Sequence, residues 1–226
     1  MNLEWLFAQF REHTPRELWF ALAAAYQAIA QDRTTIQGLV AEISELLEEN
    51  GNLRVRSVEL EGMVGIDFLT RLPNRYRIDE VVESEVAYAK RSETPLSVIF
   101  IDVDHFKDVN DKLGHDVGDA VLVELAKCFR KTLRDYDAIG RCGGEEFLGV
   151  LRDNTLEQAS VAAERLRKAV ADKLFSCAGH ELKLTVSIGV AEWQHPEHAA
   201  PMIKAADAAM YRAKHAGRNR VVANKR

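Results

Sequence analysis

From Asp67 onward, short apolar runs alternate with stretches whose apolar side chains recur every three or four positions. Leu96-Ser-Val-Ile-Phe-Ile101 is continuous enough to predict a strand buried on both faces. Tyr136 to Cys142 and Phe147 to Leu151 flank Gly143-Gly144, the pattern of a hairpin. Leu182, Leu184, Val186, Ile188 and Val190 alternate strictly, which predicts one half-buried strand. Helical periodicity marks 117–133, 155–173 and 199–214, and Arg220 to Ala223 reads as a short last strand. Strands interleaved with helices predict an α/β sandwich with a central mixed β-sheet flanked by helices.

The first 66 residues read as all-α. Leu3, Leu6, Phe7 and Phe10 recur at helical spacing. Thr14-Pro15-Arg16-Glu17 has the composition of a helix start, with Thr14 as N-cap and Glu17 closing a capping box. Leu18, Trp19, Phe20, Leu22, Tyr26 and Ile29 make the next helix apolar nearly all round. Residues 1–34 therefore form a helical segment that must bury itself against something. Over 35–66 a heptad follows, with Ile36, Ile43, Asn50, Ser57 and Val64 at a and Leu39, Leu46, Leu53 and Leu60 at d. Leu at d, Ile at a and a single buried amide favour a parallel two-stranded coiled coil. Glu49 and Arg56 at g would face Arg54 and Glu61 at e of a second chain. The alternative is one amphipathic helix packed on its own domain, although such helices show a wider apolar stripe. A homodimer through 35–66, with residues 67–226 as the globular domain, is the expected organisation.

Charge narrows the function. Residues 1–66 hold ten acids and five bases, and residues 67–226 hold 25 of each. Neither part carries the basic excess of a nucleic-acid surface. The longest apolar stretch, Leu18 to Ala30, is shorter than the roughly 20 residues a membrane span needs. Cys128, Cys142 and Cys177 have no metal-site spacing and form no even framework, which fits a cytoplasmic setting.

Two acidic clusters stand where strands should end: Asp102-Val103-Asp104 after the apolar run, and Glu145-Glu146 after the glycine pair. If those strands are neighbours, Asp102 and Glu145 converge. Clustered carboxylates repel unless a cation joins them, and Mg2+ prefers one or two protein carboxylates plus substrate phosphates. Lys107, Lys214 and Arg218 are cations suited to a triphosphate. Taken singly, Lys214 and Arg218 read more simply as closing a helix whose C′ residue is Gly217.

Gly143-Gly144-Glu145-Glu146-Phe147 resembles the signature of the GGDEF domain family, in its GGEEF form. Four further segments resemble family motifs in the expected order. They are Asp67-Phe-Leu-Thr-Arg-Leu-Pro-Asn74-Arg75, Asp102-Val-Asp104-His-Phe106-Lys107-Asp-Val-Asn110-Asp111, Gly114-His115-Asp-Val-Gly118-Asp119 and Ala206-Asp207-Ala-Ala-Met210-Tyr211-Arg-Ala-Lys214. The resemblance spans about 67–224 and implies a nucleotidyl-cyclase-like domain that joins two GTP into cyclic di-GMP as a dimer.

It also implies roles. Asp102, Glu145 and the carbonyl of Val103 would bind Mg2+, with Mn2+ as a substitute. Glu146 would assist the metal or the ribose 3′-OH. Asn110 and Asp119 would read guanine, whose edge needs both donors and acceptors. Lys107, Lys214, Arg218 and the backbone at His105-Phe106 would hold phosphates. Gly143 and Gly144 would admit the nucleotide to the hairpin backbone, a tight turn being their plainer role. Arg134-Asp-Tyr-Asp137, with Arg165, matches the family's inhibitory site for bound product. The rival function is a catalytically weak domain that senses GTP or cyclic di-GMP, which usually lacks a signature acid or a guanine-reading residue; none is missing here. Residues 1–34 carry no recognisable sensor motif, and the lone His13 reads as a structural or exposed histidine rather than a haem ligand.

Overall fold

The structure, a computed structural model, describes residues 24, 39–51, 65–194 and 198–224. The chain divides into two compact units, Met1–Leu60 and Glu61–Arg226. Within the first, 39–51 is helical; Leu39, Ile43, Leu47 and Asn50 are half-buried, while Leu46 is 40% exposed. Of the helix expected after Thr14 only Ala24 is described, and it is helical; the heptad positions from Leu53 onward lie outside the described residues, as does Ile36.

The second unit begins with α1 (Arg75–Ser92) and β1 (Leu96–Val103), then α2 (Phe106–Leu113) and α3 (His115–Thr132). The hairpin β2 (Ala138–Gly143) and β3 (Glu146–Arg152) is followed by α4 (Leu156–Ala171). A small hairpin, β4 (Leu174–Cys177) and β5 (His180–Lys183), precedes β6 (Val186–Glu192), α5 (Ala200–His215) and β7 (Val221–Ala223). The main sheet runs β2-β3-β1-β6-β7, antiparallel except for the parallel β6–β7 pair. The α/β sandwich with a mixed sheet is thus what the chain forms.

Strand periodicity sorts the core onto two faces. Ile99, Ile101 and Val103 of β1, with Phe147 and Leu151 of β3, pack beneath α3 and α4. Phe129 meets Phe147 edge-on there, with ring centroids 5.0 Å apart. Val98 and Phe100, with Leu148 and Val150, face α1 and α5. β1 lies between β3 and β6 and is buried along its whole length, so its C-terminal end delivers Asp102 to the domain's interior.

Two local readings need correction. Leu182 to Val190 is not one strand: β5 ends at Lys183, pairs with β4, and Leu184-Thr185 leads into β6 of the main sheet. The alternation in β6 is of size rather than exposure, because Ser187, Gly189 and Ala191 are buried as well. A Cβ on Gly189 would sit 1.9 Å from the Ala206 carbonyl oxygen of α5. Helix α1 has no counterpart in the predicted elements, although its signals are present. Asn74 caps it by accepting from the Arg77 N–H at 3.0 Å, and Ile78, Val82, Val86 and Ala89 form its buried stripe.

Candidate active site

Antiparallel pairing of β1 with β3 sets Asp102 opposite Glu146, and the Val103 N–H donates to the Glu145 carbonyl at 3.3 Å. The two acidic clusters therefore converge. Glu145 follows Gly144 in the two-residue turn between β2 and β3, whose closing pair is Gly143 and Glu146. Neither glycine takes a positive φ, so the backbone conformation does not demand glycine there. A Cβ on Gly144 would meet nothing within 4 Å, and one on Gly143 would touch only a Glu146 oxygen at 3.4 Å. The tight turn forms, but the bare backbone matters for the open space it leaves.

Asp102 is 2% exposed. Its Oδ2 accepts from Lys214 Nζ at 2.7 Å, while Oδ1 is buried with no partner. Burial raises its pKa to about 6, against the pull of Lys214, and Glu145 and Glu146 push the same way. Burial also raises the Glu145 carboxyl above its ordinary range. A buried carboxylate with an orphaned oxygen beside two more acids fits a divalent cation. Among the described residues no three His, Cys, Asp or Glu side chains are arranged to hold a metal ion by themselves.

Asp104 has a different duty. It is 4% exposed and accepts from Thr185 Oγ1 and Ser187 Oγ, each at 2.7 Å, and from the Asn219 N–H at 3.0 Å. This carboxylate ties the end of β1 to β6 and to the Arg218-Asn219 turn. That turn follows the close of α5, where Arg218 N–H donates to Ala213 O at 3.0 Å and Gly217 N–H to Lys214 O at 3.3 Å. Gly217 takes φ +107 as the C′ residue, so the capping role holds. The Lys214 carbonyl serves this cap, while its side chain turns inward to Asp102.

His105 opens α2 in a left-handed conformation and gives no side-chain cap, while its carbonyl accepts the Asp108 N–H at 3.0 Å. The Phe106 side chain is core, which leaves only its backbone for a ligand. Lys107 is exposed on the first turn of α2. Gly114, at φ +88, turns α2 into α3 and brings Gly118 against Asn110: a Cβ on Gly118 would lie 1.9 Å from Asn110 Oδ1. Asn110 is half-buried, and Asp119 is exposed one residue beyond this contact.

Arg141, unmarked by the sequence reading, braces the hairpin. Its Nε and second terminal nitrogen donate to the Gly144 carbonyl at 3.1 and 2.8 Å, and its first terminal nitrogen meets both Asp67 oxygens at 3.1 and 3.2 Å. Its place two residues before the glycine pair was the available signal. Burial pushes the pKa of the Cys142 thiol between them up to about 12.

Arg134, Asp137 and Arg165 also come together, away from the acidic clusters. Asp137 Oδ2 accepts the Arg134 N–H at 3.1 Å, while Oδ1 is buried without a partner. Burial raises the Asp137 carboxyl, and Arg134 and Arg165 oppose that rise. The Arg134 guanidinium donates to the Tyr136 hydroxyl at 2.8 Å, and Arg165 donates to the Thr132 carbonyl at 2.9 Å. A cavity of about 350 Å³ opens beside Arg134 and Asp137.

Comparison with known proteins agrees with this geometry. Residues 64–220 match the family model described as diguanylate cyclase, GGDEF domain, and the chain belongs to that family. It is 38% identical over 195 residues to the diguanylate cyclase DosC of Escherichia coli, covering 85% of this chain and 40% of that protein. The GGEEF domain of a Vibrio cholerae diguanylate cyclase superposes with a TM-score of 0.63 at 38% identity, over 68% of this chain and 97% of that one. The coiled coil and GGDEF domain of DgcB from Caulobacter crescentus, in complex with c-di-GMP, gives 0.67 at 29% identity, over 82% and 98%. No described helix is long and apolar enough to cross a membrane.

Proposed function

We propose that the chain is a diguanylate cyclase: two GTP molecules condense to cyclic di-GMP with release of two pyrophosphates, in a Mg2+-dependent homodimer. The observation that carries this is Asp102, a buried carboxylate with one oxygen on Lys214 and the other unpartnered, opposite the Glu145-Glu146 hairpin. Asp102, Glu145 and the Val103 carbonyl would hold the ion, which when bound supplies charge against the triphosphate and acidifies a nearby hydroxyl. Asn110 and Asp119 orient guanine. The backbone at His105-Phe106, with Lys107 and Arg218, would hold the phosphate tail. With Asp102 engaged by the ion, Lys214 would be placed to hold a phosphate oxygen. The 3′-oxygen of one GTP attacks the α-phosphorus of the other, the bond to the β-phosphate oxygen breaks, and pyrophosphate leaves. Glu146 either joins the ion's ligands or accepts the 3′-OH proton.

One domain positions one GTP, so closing the ring takes two domains face to face. The heptad over 35–66 supplies the means, because helix 39–51 of a single chain leaves Leu46 40% exposed. The DgcB relative, likewise a coiled coil joined to a GGDEF domain, supports this arrangement. The Arg134, Asp137 and Arg165 cluster is read as a product site: the orphaned Asp137 oxygen suits guanine N–H groups, and the arginines suit phosphodiesters.

The deciding experiment incubates the pure chain with GTP and Mg2+ and identifies products by mass. Cyclic di-GMP and pyrophosphate from the wild type, and neither from Glu145→Gln, are expected. GTP left intact under all metal conditions would favour the sensor reading.

A further inference from the structure

The cavity beside Arg134 and Asp137 has a further wall, Arg130, which no motif marks. Arg130 stands in the last turn of α3 and donates to the Arg71 carbonyl at 2.6 Å. Arg71 is held at φ +59, a left-handed conformation that costs a residue with a Cβ about 1 kcal/mol or more. Its turn is closed by Arg71 N–H to Asp67 O at 2.9 Å and by Asp67 N–H to Leu72 O at 2.8 Å. The same turn carries the Asp67 carboxylate, which grips Arg141, and Arg141 grips the Gly144 carbonyl of the catalytic hairpin. Arg130 is thus one end of an unbroken chain of contacts from the cavity wall to the hairpin tip.

Arg130, Arg134 and Arg165 each rest on a neutral acceptor: the Arg71 carbonyl, the Tyr136 hydroxyl and the Thr132 carbonyl. A guanidinium bonded to a neutral oxygen gains by moving to a phosphate, where the bond is charge-assisted and forks in two. We propose that Arg130 binds the phosphodiester of a cyclic dinucleotide in this cavity and, in leaving Arg71, loosens the turn that holds the catalytic hairpin. Inhibition by product would then include a step inside one domain, from cavity to hairpin, besides any effect on how domains meet. This rests on the cavity being the product site.

The test is calorimetric titration of the full chain with cyclic di-GMP, beside amide hydrogen exchange over residues 143–146 with and without it. Arg134→Ala reports on the cavity itself and should lose binding. Arg130→Ala should weaken binding by about tenfold, the loss of one charge-assisted bond. Arg130→Lys, which keeps a charge and a donor, should fall between it and the wild type and guards against a folding defect. Hairpin exchange should quicken in the wild type on adding ligand, and be quick already in Arg130→Ala. If Arg134→Ala binds normally, the product-site reading fails. If Arg134→Ala loses binding and Arg130→Ala does not, Arg130 is only a brace for Arg71 and this proposal falls. Weaker binding with unchanged hairpin exchange would overturn the coupling and leave the ligand contact standing.

Discussion

Lys214 Nζ lies 2.7 Å from Asp102 Oδ2, yet the Asp102 pKa is raised to about 6, not lowered. Burial therefore outweighs the ion pair. The sign for stability follows: between about pH 4 and 6 the folded chain holds the proton more tightly than the unfolded one. Stability due to this group falls as pH rises through that window, and the full cost is present at neutral pH. Asp102→Asn should accordingly leave the metal-free domain as stable as the wild type at pH 7.5, or raise its Tm by a few degrees. The gain should vanish near pH 4. Scanning fluorimetry measures this, and a lower Tm at pH 7.5 would show that the Lys214 pair governs instead. Mg2+ with GTP should raise the Tm of the wild type only.

The same carboxylate predicts a pH profile. Asp102 and Glu145 must both be ionised to hold a cation, and burial raises both. Pyrophosphate release at saturating GTP should climb between about pH 5 and 7 and level off above, with an apparent midpoint that belongs to the coupled carboxylates jointly. A flat profile across that range would remove Asp102 from the step that limits turnover.

Gly118→Ala tests the placement of Asn110. Only 1.9 Å separates the new Cβ from Asn110 Oδ1, so the amide must rotate away. The expected result is a KM for GTP raised about tenfold with kcat less affected, the loss of one or two hydrogen bonds to the base. Unchanged KM would mean that Asn110 does not read guanine.

Arg141→Ala should act on kcat. The Gly144 carbonyl loses both donors, and the hairpin tip that carries Glu145 loses its tie to Asp67. Misplacement by about 1 Å can cost roughly a hundredfold. Single-turnover kinetics should show the loss in the chemical step, with binding of GTP largely retained.

Much of this was legible in the chain. Leu96–Ile101 and the two runs flanking Gly143-Gly144 each gave a strand, with the glycine pair marking the hairpin turn. The convergence of Asp102 with Glu145 followed from two acidic clusters at strand ends. What escaped depended on contacts distant in sequence. Asp104 looks like a second metal acid beside Asp102, but Thr185, Ser187 and the Asn219 N–H surround it, and none of them is near it in the chain. Arg141 finds Asp67 from 74 residues away. The break at Leu184-Thr185 was hidden because small residues packed under α5 imitate an exposed face.

Ile43 and Asn50 at a and Leu39 at d are half-buried on helix 39–51, while Leu46 at d is 40% exposed. A parallel partner in register would cover that stripe and set Asn50 against its twin, which satisfies a buried amide at some cost in stability. Asn50→Ile should tighten association but relax the preference for two strands, so light scattering should detect species larger than dimers. Leu39→Asp with Leu46→Asp would place four carboxylates in one seam, where each costs several kcal/mol to desolvate unpaired. That variant should be monomeric, should bind GTP, and should lose most cyclase activity at low protein concentration, because each subunit positions half of the reactants. Activity that returns as its concentration rises would fit a weakened encounter between intact domains. A fully active monomer would end the dimer mechanism, and a persistent dimer would shift the interface to residues 1–34.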